Sequence, residues 1–198
     1  MYETVIKGGI VLGVILVCSL IAMTIVIQRW WFYRSVERED ADYTPKLKKA
    51  IDGETSSIVA DGNSTLARLW SAMYELRRGT AAEQEAAGEL VLESESLRLD
   101  KYLYILATIA TIAPLLGLLG TVFGMIKTFH AAALSGAGNP QMLAEGISEA
   151  LYNTAAGLLV TIFCIVCHNH YRNWAERRVR VLENRAKQFA AILAGGGR

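Results

Sequence analysis

Glu149 is the residue of this chain whose chemistry stands out most from its surroundings. It precedes residues 150–171, a stretch that contains no Asp, Glu, Lys or Arg. An ionisable group at the mouth of an apolar span costs about 2.5–3.5 kcal/mol on insertion scales, and it usually marks a transport or relay site. Small and hydroxyl side chains share one side of this helix, which indicates packing against another helix rather than lipid. They are Gly146, Ala150, Asn153, Thr154, Gly157 and Thr161.

Three charge-free stretches define the elements that must position these residues. They cover residues 8–28, 102–126 and 150–171, and 53% of the whole chain is hydrophobic. At about 1.5 Å per residue, each stretch is long enough to cross a hydrocarbon core of about 30 Å. The sequence therefore predicts an all-α integral membrane protein with three transmembrane helices. The first helix is expected to stay as an anchor, with residues 30–33 (Trp-Trp-Phe-Tyr) as an aromatic belt.

The positions of Lys and Arg predict the orientation in the membrane. Eleven of the twenty lie between Arg29 and Lys101, and seven follow from Arg172 onward. The N-terminal segment contains only Lys7, and the loop after the second span contains only Lys127. Because positive loops stay inside, we expect the N-terminus and this loop to face outward, and the middle segment and tail to face the cytoplasm. Nucleic acid is not an expected partner.

The second and third spans are predicted to extend into the cytoplasm as long helices. Thr80-Ala-Ala-Glu83 fits a capping box, and no residue forces a stop from there to Ile126. Pro114 is expected to kink this helix. The third span continues beyond Arg172 as an amphipathic helix. The predicted organisation is residues 1–33 as outer terminus and first span, 34–101 as a cytoplasmic helical segment, 102–172 as the second and third spans with a short outer loop and 173–198 as a cytoplasmic C-terminal helix.

The second span has a small-residue stripe of its own, centred on Thr121. On a helical wheel four residues lie within about 40° of Thr121 and Gly124 lies about 60° away. The four are Ala110, Pro114, Gly117 and Thr128. Gly120 and Gly124 form a G-x-x-x-G pair, which allows close helix approach. Ordinary helix packing explains the glycines alone, whereas hydroxyls on both helices favour a polar path.

The two hydroxyls Thr121 and Thr154 are expected at similar depth. Thr121 lies about 9 Å along its helix from Lys127, and Thr154 lies about 7.5 Å from Glu149. Inward of Glu149 neither span contains a carboxylate. A group that binds and releases a proton in mid-membrane is therefore missing. This gap predicts a partner that brings a carboxylate to the level of the threonines, although a water-filled pore could do without one.

Other patterns in the chain predict no further chemistry. Cys164-Ile-Val-Cys167-His168 matches a c-type haem attachment sequence, but its predicted cytoplasmic position favours two cysteines that pack as small apolar residues. No nucleotide-binding loop, zinc-protease motif or catalytic triad is present, so we expect no enzyme, metal or cofactor. Energy would have to come from something other than ATP bound to this chain, and the membrane potential is available.

The two spans resemble the core of the MotA/TolQ/ExbB proton-channel family. Residues 114–125 resemble its P-x-x-G-L-x-G-T-V-x-G-[MI] motif, and residues 146–158 resemble its G-I-x-E-A-L-x-x-T-A-x-G-L motif. Three spans with the N-terminus outside is the plan of the ExbB/TolQ branch. Asn153 departs from the pattern, because the family often has a small apolar residue there.

The resemblance implies a homopentamer around a pore that holds helices of a single-span ExbD/TolR-like partner with an intramembrane Asp. It implies that Thr121 and Thr154 lie beside that Asp and that Glu149 lies near the pore wall. It also implies a Gram-negative inner membrane and a proton-motive-force-driven motor. This motor would energise a TonB-like protein for outer-membrane import or, alternatively, a TolA-like protein of the Tol-Pal system. The alternative from another class is a passive membrane scaffold, whose small-residue stripes serve assembly alone.

Overall fold

A computed structural model describes residues 9–51, 64–134 and 140–195, which form five α-helices and no strand within those ranges. The helices are α1 (Gly9–Ile51), α2 (Thr65–Glu75), α3 (Ala81–Asp100), α4 (Leu103–Leu134) and α5 (Pro140–Gly195). Three helical segments are long and apolar enough to cross a membrane, within residues 9–39, 81–134 and 143–193, with mean hydropathies of 3.1, 2.1 and 2.0. This confirms the predicted all-α membrane protein with three spans.

The chain divides into two compact units. The first, here called the span unit, comprises residues up to 27 together with 102–170. The second, the basal unit, comprises residues 28–101 together with 171–198. The chain passes between them within α1, at the α3–α4 junction and within α5. The long extensions predicted for the second and third spans therefore belong to the basal unit.

The predicted uninterrupted helix from the capping box to Ile126 is wrong at one place. α3 ends at Asp100 and α4 begins at Leu103. Between them Tyr102 adopts a φ of 68°, the left-handed region that non-glycine residues seldom enter. Lys101 and Tyr102 are tolerated inside helices, so composition gave no sign of this break. It coincides with the passage from the basal unit to the span unit.

Side-chain caps fix the two short helices of the basal unit. Ser64 caps α2 by accepting a hydrogen bond from the Ala67 backbone N–H at 3.1 Å. At the start of α3, Thr80 accepts from the Glu83 N–H at 3.3 Å, while the Glu83 carboxylate accepts from the Thr80 N–H at 2.7 Å. The predicted capping box is therefore confirmed, and both helix starts satisfy N–H groups that would otherwise lack partners.

α2 also packs on the last part of α5, which confirms that the third span continues as an amphipathic helix. Trp70 and Met73 of α2 share a buried cluster with Leu182 and Phe189 of α5. The Trp70 and Phe189 rings meet edge to face at a centroid distance of 5.0 Å. Val181, which was expected on the apolar face, is instead exposed.

The predicted aromatic belt after the first span is only partly exposed. Trp30 and Trp31 are open to the surroundings, whereas Tyr33 is buried within the basal unit. The Tyr33 hydroxyl donates to the Leu99 carbonyl at 2.8 Å, and its ring lies 4.4 Å from that of Trp174. Tyr33 is therefore a packing residue that joins α1, α3 and α5, because its ring and hydroxyl both find partners there.

Candidate functional site

α4 and α5 run antiparallel in the span unit and approach through glycines. A Cβ atom placed on Gly157 would lie 2.5 Å from the Ala113 carbonyl oxygen, and one on Gly124 would lie 2.7 Å from the Ala150 Cβ. Residues late in α4 thus face residues early in α5. Ala150 is 2% exposed. The small residues Gly117, Gly120, Gly124, Gly146, Ala150 and Gly157 serve this contact, with Gly146 meeting Thr128.

The packed stripe of α4 is centred differently from the sequence prediction. Gly117, Gly120 and Gly124 form the contact with α5, whereas Thr121 lies about 65° around the helix from their mean direction. The stripe was expected to be centred on Thr121 and to form a lining for a partner helix. The glycines are occupied by α5 instead, since their missing side chains are what lets the two backbones approach.

The hydroxyls of Thr121 and Thr154 both donate to carbonyls of the same turn of α4. Thr154 donates across the helix pair to the Gly117 oxygen at 3.0 Å. Thr121 donates within its own helix to the Leu118 oxygen at 2.7 Å. Neighbouring carbonyls differ by about 1.5 Å along the axis, which agrees with the expectation of similar depth. The hydroxyls do not bond to each other, so the expected polar ring consists of two separate contacts.

Two further predicted residues lie in ordinary helical surroundings. The Thr161 hydroxyl donates to the Gly157 carbonyl of α5 at 2.8 Å, a bond within one helix. Pro114 lies inside α4, which continues through it from Leu103 to Leu134. Pro114 is half-buried, and the bend expected there remains a prediction.

Asn153 is the most deeply buried polar side chain of this helix pair. It is 4% exposed, and its Oδ1 has no hydrogen-bond partner among the described residues. Gly120 makes room for it, because a Cβ on Gly120 would lie 2.5 Å from the Asn153 Cβ and 2.8 Å from its Nδ2. An unsatisfied buried amide oxygen costs about 1–3 kcal/mol, so this arrangement requires an explanation.

Glu149 lines a cavity of about 520 Å³ within the span unit, together with Asn153. No hydrogen bond joins these two side chains within the described part of the chain. The other polar residues of this cavity are Lys127, Thr128 and Glu145. The sequence prediction included Thr128 in the stripe of the second span, whereas it gave Lys127 and Glu145 no role in the site, because charges are common at the ends of spans. The remaining lining residues are Gly9, Ile10, Val11, Gly120, Phe123, Gly124, Ala131, Gly146 and Ala150.

Thr121 opens on the other side of α4. A shallow groove of about 510 Å³ there is lined by Thr121, Val122, Met125, Ile126 and Phe129. Apart from the threonine, its walls are apolar and largely exposed. The cavity and this groove therefore lie on different sides of α4, with Asn153 in the first and Thr121 in the second.

The cysteines of the haem-like motif occupy packing positions. Cys164 is fully buried and Cys167 is half-buried. The neighbouring His168 has its Nδ1 3.3 Å from the Asn169 Oδ1. This agrees with the interpretation of both cysteines as small apolar residues.

Comparison with known proteins gives a consistent result. Residues 50–184 match the sequence pattern of the MotA/TolQ/ExbB proton channel family. A putative biopolymer transport protein, ExbB-like 1, from Synechocystis is 35% identical over 81% of this chain and 66% of its own length. Biopolymer transport protein exbB1 of Vibrio cholerae is 39% identical over 57% of the chain, which spans about half (49%) of that relative. The Tol-Pal system protein TolQ of Haemophilus influenzae is 28% identical over 94% of the chain and 90% of its own length.

The family match covers more than half of the chain and includes both spans with the paired hydroxyls. It agrees with the three apolar helices, which make this a multi-pass inner-membrane protein. The chain belongs to the MotA/TolQ/ExbB proton channel family.

Proposed function

We propose that this chain is the proton-conducting stator subunit of an inner-membrane motor driven by the proton-motive force, which energises a TonB-type protein for outer-membrane import. The observation that carries the proposal is the pair of hydroxyls, Thr154 on the Gly117 carbonyl and Thr121 on the adjacent Leu118 carbonyl. These two hydroxyls lie at nearly the same depth, here called the polar level, in a helix pair that belongs to the core of a proton-channel family. Glu149, Asn153 and Thr161 continue the polar residues along α5.

A partner must complete the path. No Asp or Glu occurs in residues 103–134 or 150–171, so neither span can bind a proton on a carboxylate at the level of the hydroxyls. We propose that a ring of these subunits, a pentamer as in the ExbB/TolQ plan, encloses a single-span ExbD/TolR-like partner whose Asp stands beside Thr121 and Thr154. The outer face of the membrane is periplasmic in this arrangement, with the N-terminus outside and the C-terminus in the cytoplasm.

A TolQ-like role in envelope constriction is the second candidate. The alignment with the Haemophilus influenzae TolQ protein extends over nearly the whole of both chains. The two roles share the proposed proton step and differ in the protein that is energised. Expression in strains that lack either endogenous system separates them, because restored siderophore uptake supports the ExbB role and restored detergent resistance supports the TolQ role.

Proton flux in proteoliposomes tests the shared step. The chain is reconstituted with an ExbD/TolR-like single-span protein, and flux driven by an imposed potential is followed with a pH-sensitive dye. Thr154→Val keeps the shape of the side chain and removes the hydroxyl, so we expect flux to fall at least about tenfold, the equivalent of 1.4 kcal/mol. Thr108→Val is the matched control, because the Thr108 hydroxyl only bonds to Tyr104 of its own helix.

The passive scaffold gives the opposite result. If the unmodified complex assembles but conducts no more protons than empty liposomes, the spans serve assembly alone and the proposal is wrong. If Thr154→Val and Glu149→Ala both assemble normally and conduct protons like the unmodified chain, these two residues do not form the proton path. Assembly is measured by the mass of the purified complex, so a loss of flux caused by dissociation is recognised.

A further inference from the structure

The cavity beside Glu149 enters from the outer ends of all three spans. Its lining includes the first residues of α1 (9–11), the end of α4 at Ala131 and the start of α5 at Glu145. From Lys127, at the outer end of the second span, to Gly120, the deepest lining residue of α4, is about 10 Å along the helix. The cavity therefore reaches about a third of the way through a hydrocarbon core of about 30 Å.

The polar groups of this cavity suit water rather than a lipid tail. Its rim carries an ammonium group, Lys127, and two carboxylates, Glu145 and Glu149. Its volume of about 520 Å³ gives room for on the order of ten water molecules at about 30 Å³ each. Lys127 and Glu145 are exposed, whereas Glu149 is half-buried, and a carboxylate that faces a dry or lipid-filled space loses solvation, which is costly.

Asn153 supplies the second, independent sign of a ligand. It lines the inner part of the cavity, and its Oδ1 has no partner among the described residues. Exchange of Oδ1 and Nδ2 by a half-turn of the amide leaves its shape unchanged, so the group can offer either an acceptor or a donor to the cavity. A water molecule bound there satisfies the buried amide, which is the usual role of internal water.

The inner lining residues of the cavity, Asn153 and Gly120, are next to the level of the two hydroxyls, although Thr154 itself does not line the cavity. Asn153 directly precedes Thr154, whose hydroxyl bonds to the Gly117 carbonyl. We propose that each protomer contains its own water-filled inlet, from the outer surface past Glu149 to Asn153, which delivers protons to the Thr154 level. In each step a water gains a proton from its outer neighbour and releases another to its inner neighbour. The number of waters is unchanged, and the proton ends on the partner's carboxylate.

This inlet rests on the proposed proton-channel function and specifies its entry route. The alternative route is the groove on the opposite side of α4, where Phe129 and Thr121 lie. The two routes have their openings on different sides of the same helix end. A bulky group attached at one opening should therefore block one route and leave the other open.

Thiol labelling at the mouth of the cavity tests the inlet. Ala131→Cys places a thiol at this mouth. His130→Cys places a control thiol at the neighbouring exposed position of α4, which lines neither the cavity nor the groove that faces the partner. The complex with its partner is treated in proteoliposomes with a bulky membrane-impermeant thiol reagent, and proton flux is measured before and after. The unmodified chain controls for Cys18, Cys164 and Cys167. We expect labelling at residue 131 to reduce flux at least about tenfold and labelling at residue 130 to change it less than about twofold.

The reverse pattern, or no effect of complete labelling at residue 131, would overturn the inlet. The variant Asn153→Leu provides an independent check, because it keeps the size of the side chain and removes both polar atoms. We expect ordered water beside residue 153 in a high-resolution map of the unmodified complex, and lower flux in the variant. If Asn153→Leu conducts normally while Thr154→Val does not, the inlet is wrong and the proton-channel function stands. If neither variant affects flux, neither residue lies on the proton path, and if the unmodified complex does not conduct, the proton-channel function itself is wrong.

Discussion

Adding one methyl group at Gly157 should separate α4 from α5. The new Cβ of Gly157→Ala would lie 2.5 Å from the Ala113 carbonyl oxygen and 3.2 Å from the Gly117 Cα. Both are backbone atoms, so no side-chain rotation can relieve the contact and the helices must move apart by several tenths of an ångström. Overpacking of this kind costs about 1–3 kcal/mol.

Gly13→Ala is the matched control for this change. Gly13 lies in α1, and a Cβ placed there has no atom within 4 Å. Alanine is favoured over glycine inside a helix by about 1 kcal/mol, and this gain applies to both variants. Gly13→Ala should therefore be neutral or up to about 1 kcal/mol more stable, while Gly157→Ala should lose about 0–2 kcal/mol after the same gain is included. The expected difference between the variants is about 1–3 kcal/mol.

Thermal unfolding of the purified protein in one detergent measures this difference, with the loss of helical circular dichroism as the signal. The Thr154 hydroxyl provides a second measurement, because its bond to Gly117 spans the helices that must separate. Proton flux should therefore fall with Gly157→Ala and remain normal with Gly13→Ala. Equal stability and equal flux in the two variants would refute the conclusion that the glycines serve close packing of α4 on α5.

Two further changes test the helices of the basal unit by hydrogen exchange. Glu95 is 1% exposed, accepts from the Thr65 hydroxyl at 2.9 Å and pairs with Arg68. Glu95→Ala should lower the free energy of opening of α2 by about 1.5–3 kcal/mol. The control Glu85→Ala changes an exposed residue and should affect this free energy little. Equal effects of the two variants would contradict a stabilising role for the buried contacts of Glu95. Ser64→Ala removes the α2 cap and should cost about 1 kcal/mol, seen as roughly fivefold faster exchange of the first α2 amides. An unchanged exchange rate in Ser64→Ala would show that the cap contributes nothing.

The main elements could be predicted because each has a local physical cause. The length of the charge-free stretches predicts the three spans. The spacing of Thr80 and Glu83 predicts the start of α3, because these two residues can form reciprocal hydrogen bonds. The break at Tyr102 could not be predicted in this way. No residue type there opposes a helix, and the break falls where the chain passes from one unit to the other. Local preference alone therefore does not predict the break.

The candidate site was predictable in its residue types and less so in its geometry. The glycines and hydroxyls of α4 fall close together on a helical wheel, and a wheel alone cannot tell which part of that arc meets α5. The contact of Gly120 with Asn153 fixes this rotation. The cavity depends on three helices and on residues distant in sequence, such as Val11 and Lys127. No short-range pattern reports such a contact, so the cavity could not be predicted from sequence patterns.

Because α5 packs against the glycines of α4, a partner helix can contact α4 only on another side. Since Gly117, Gly120 and Gly124 are already in contact, a partner must approach the side of α4 on which Thr121 opens. On that side the Thr121 hydroxyl bonds only within its own helix. Breaking such a hydrogen bond costs about 0.5–1.5 kcal/mol.

Thr154 differs from Thr121, because its bond joins two helices and its loss disturbs their packing. We therefore expect Thr121 to be the hydroxyl that exchanges partners as a carboxylate passes, and Thr154 to remain the fixed group that the proton reaches first. A lining with one mobile and one fixed donor lets a partner helix turn past each protomer without separating α4 from α5.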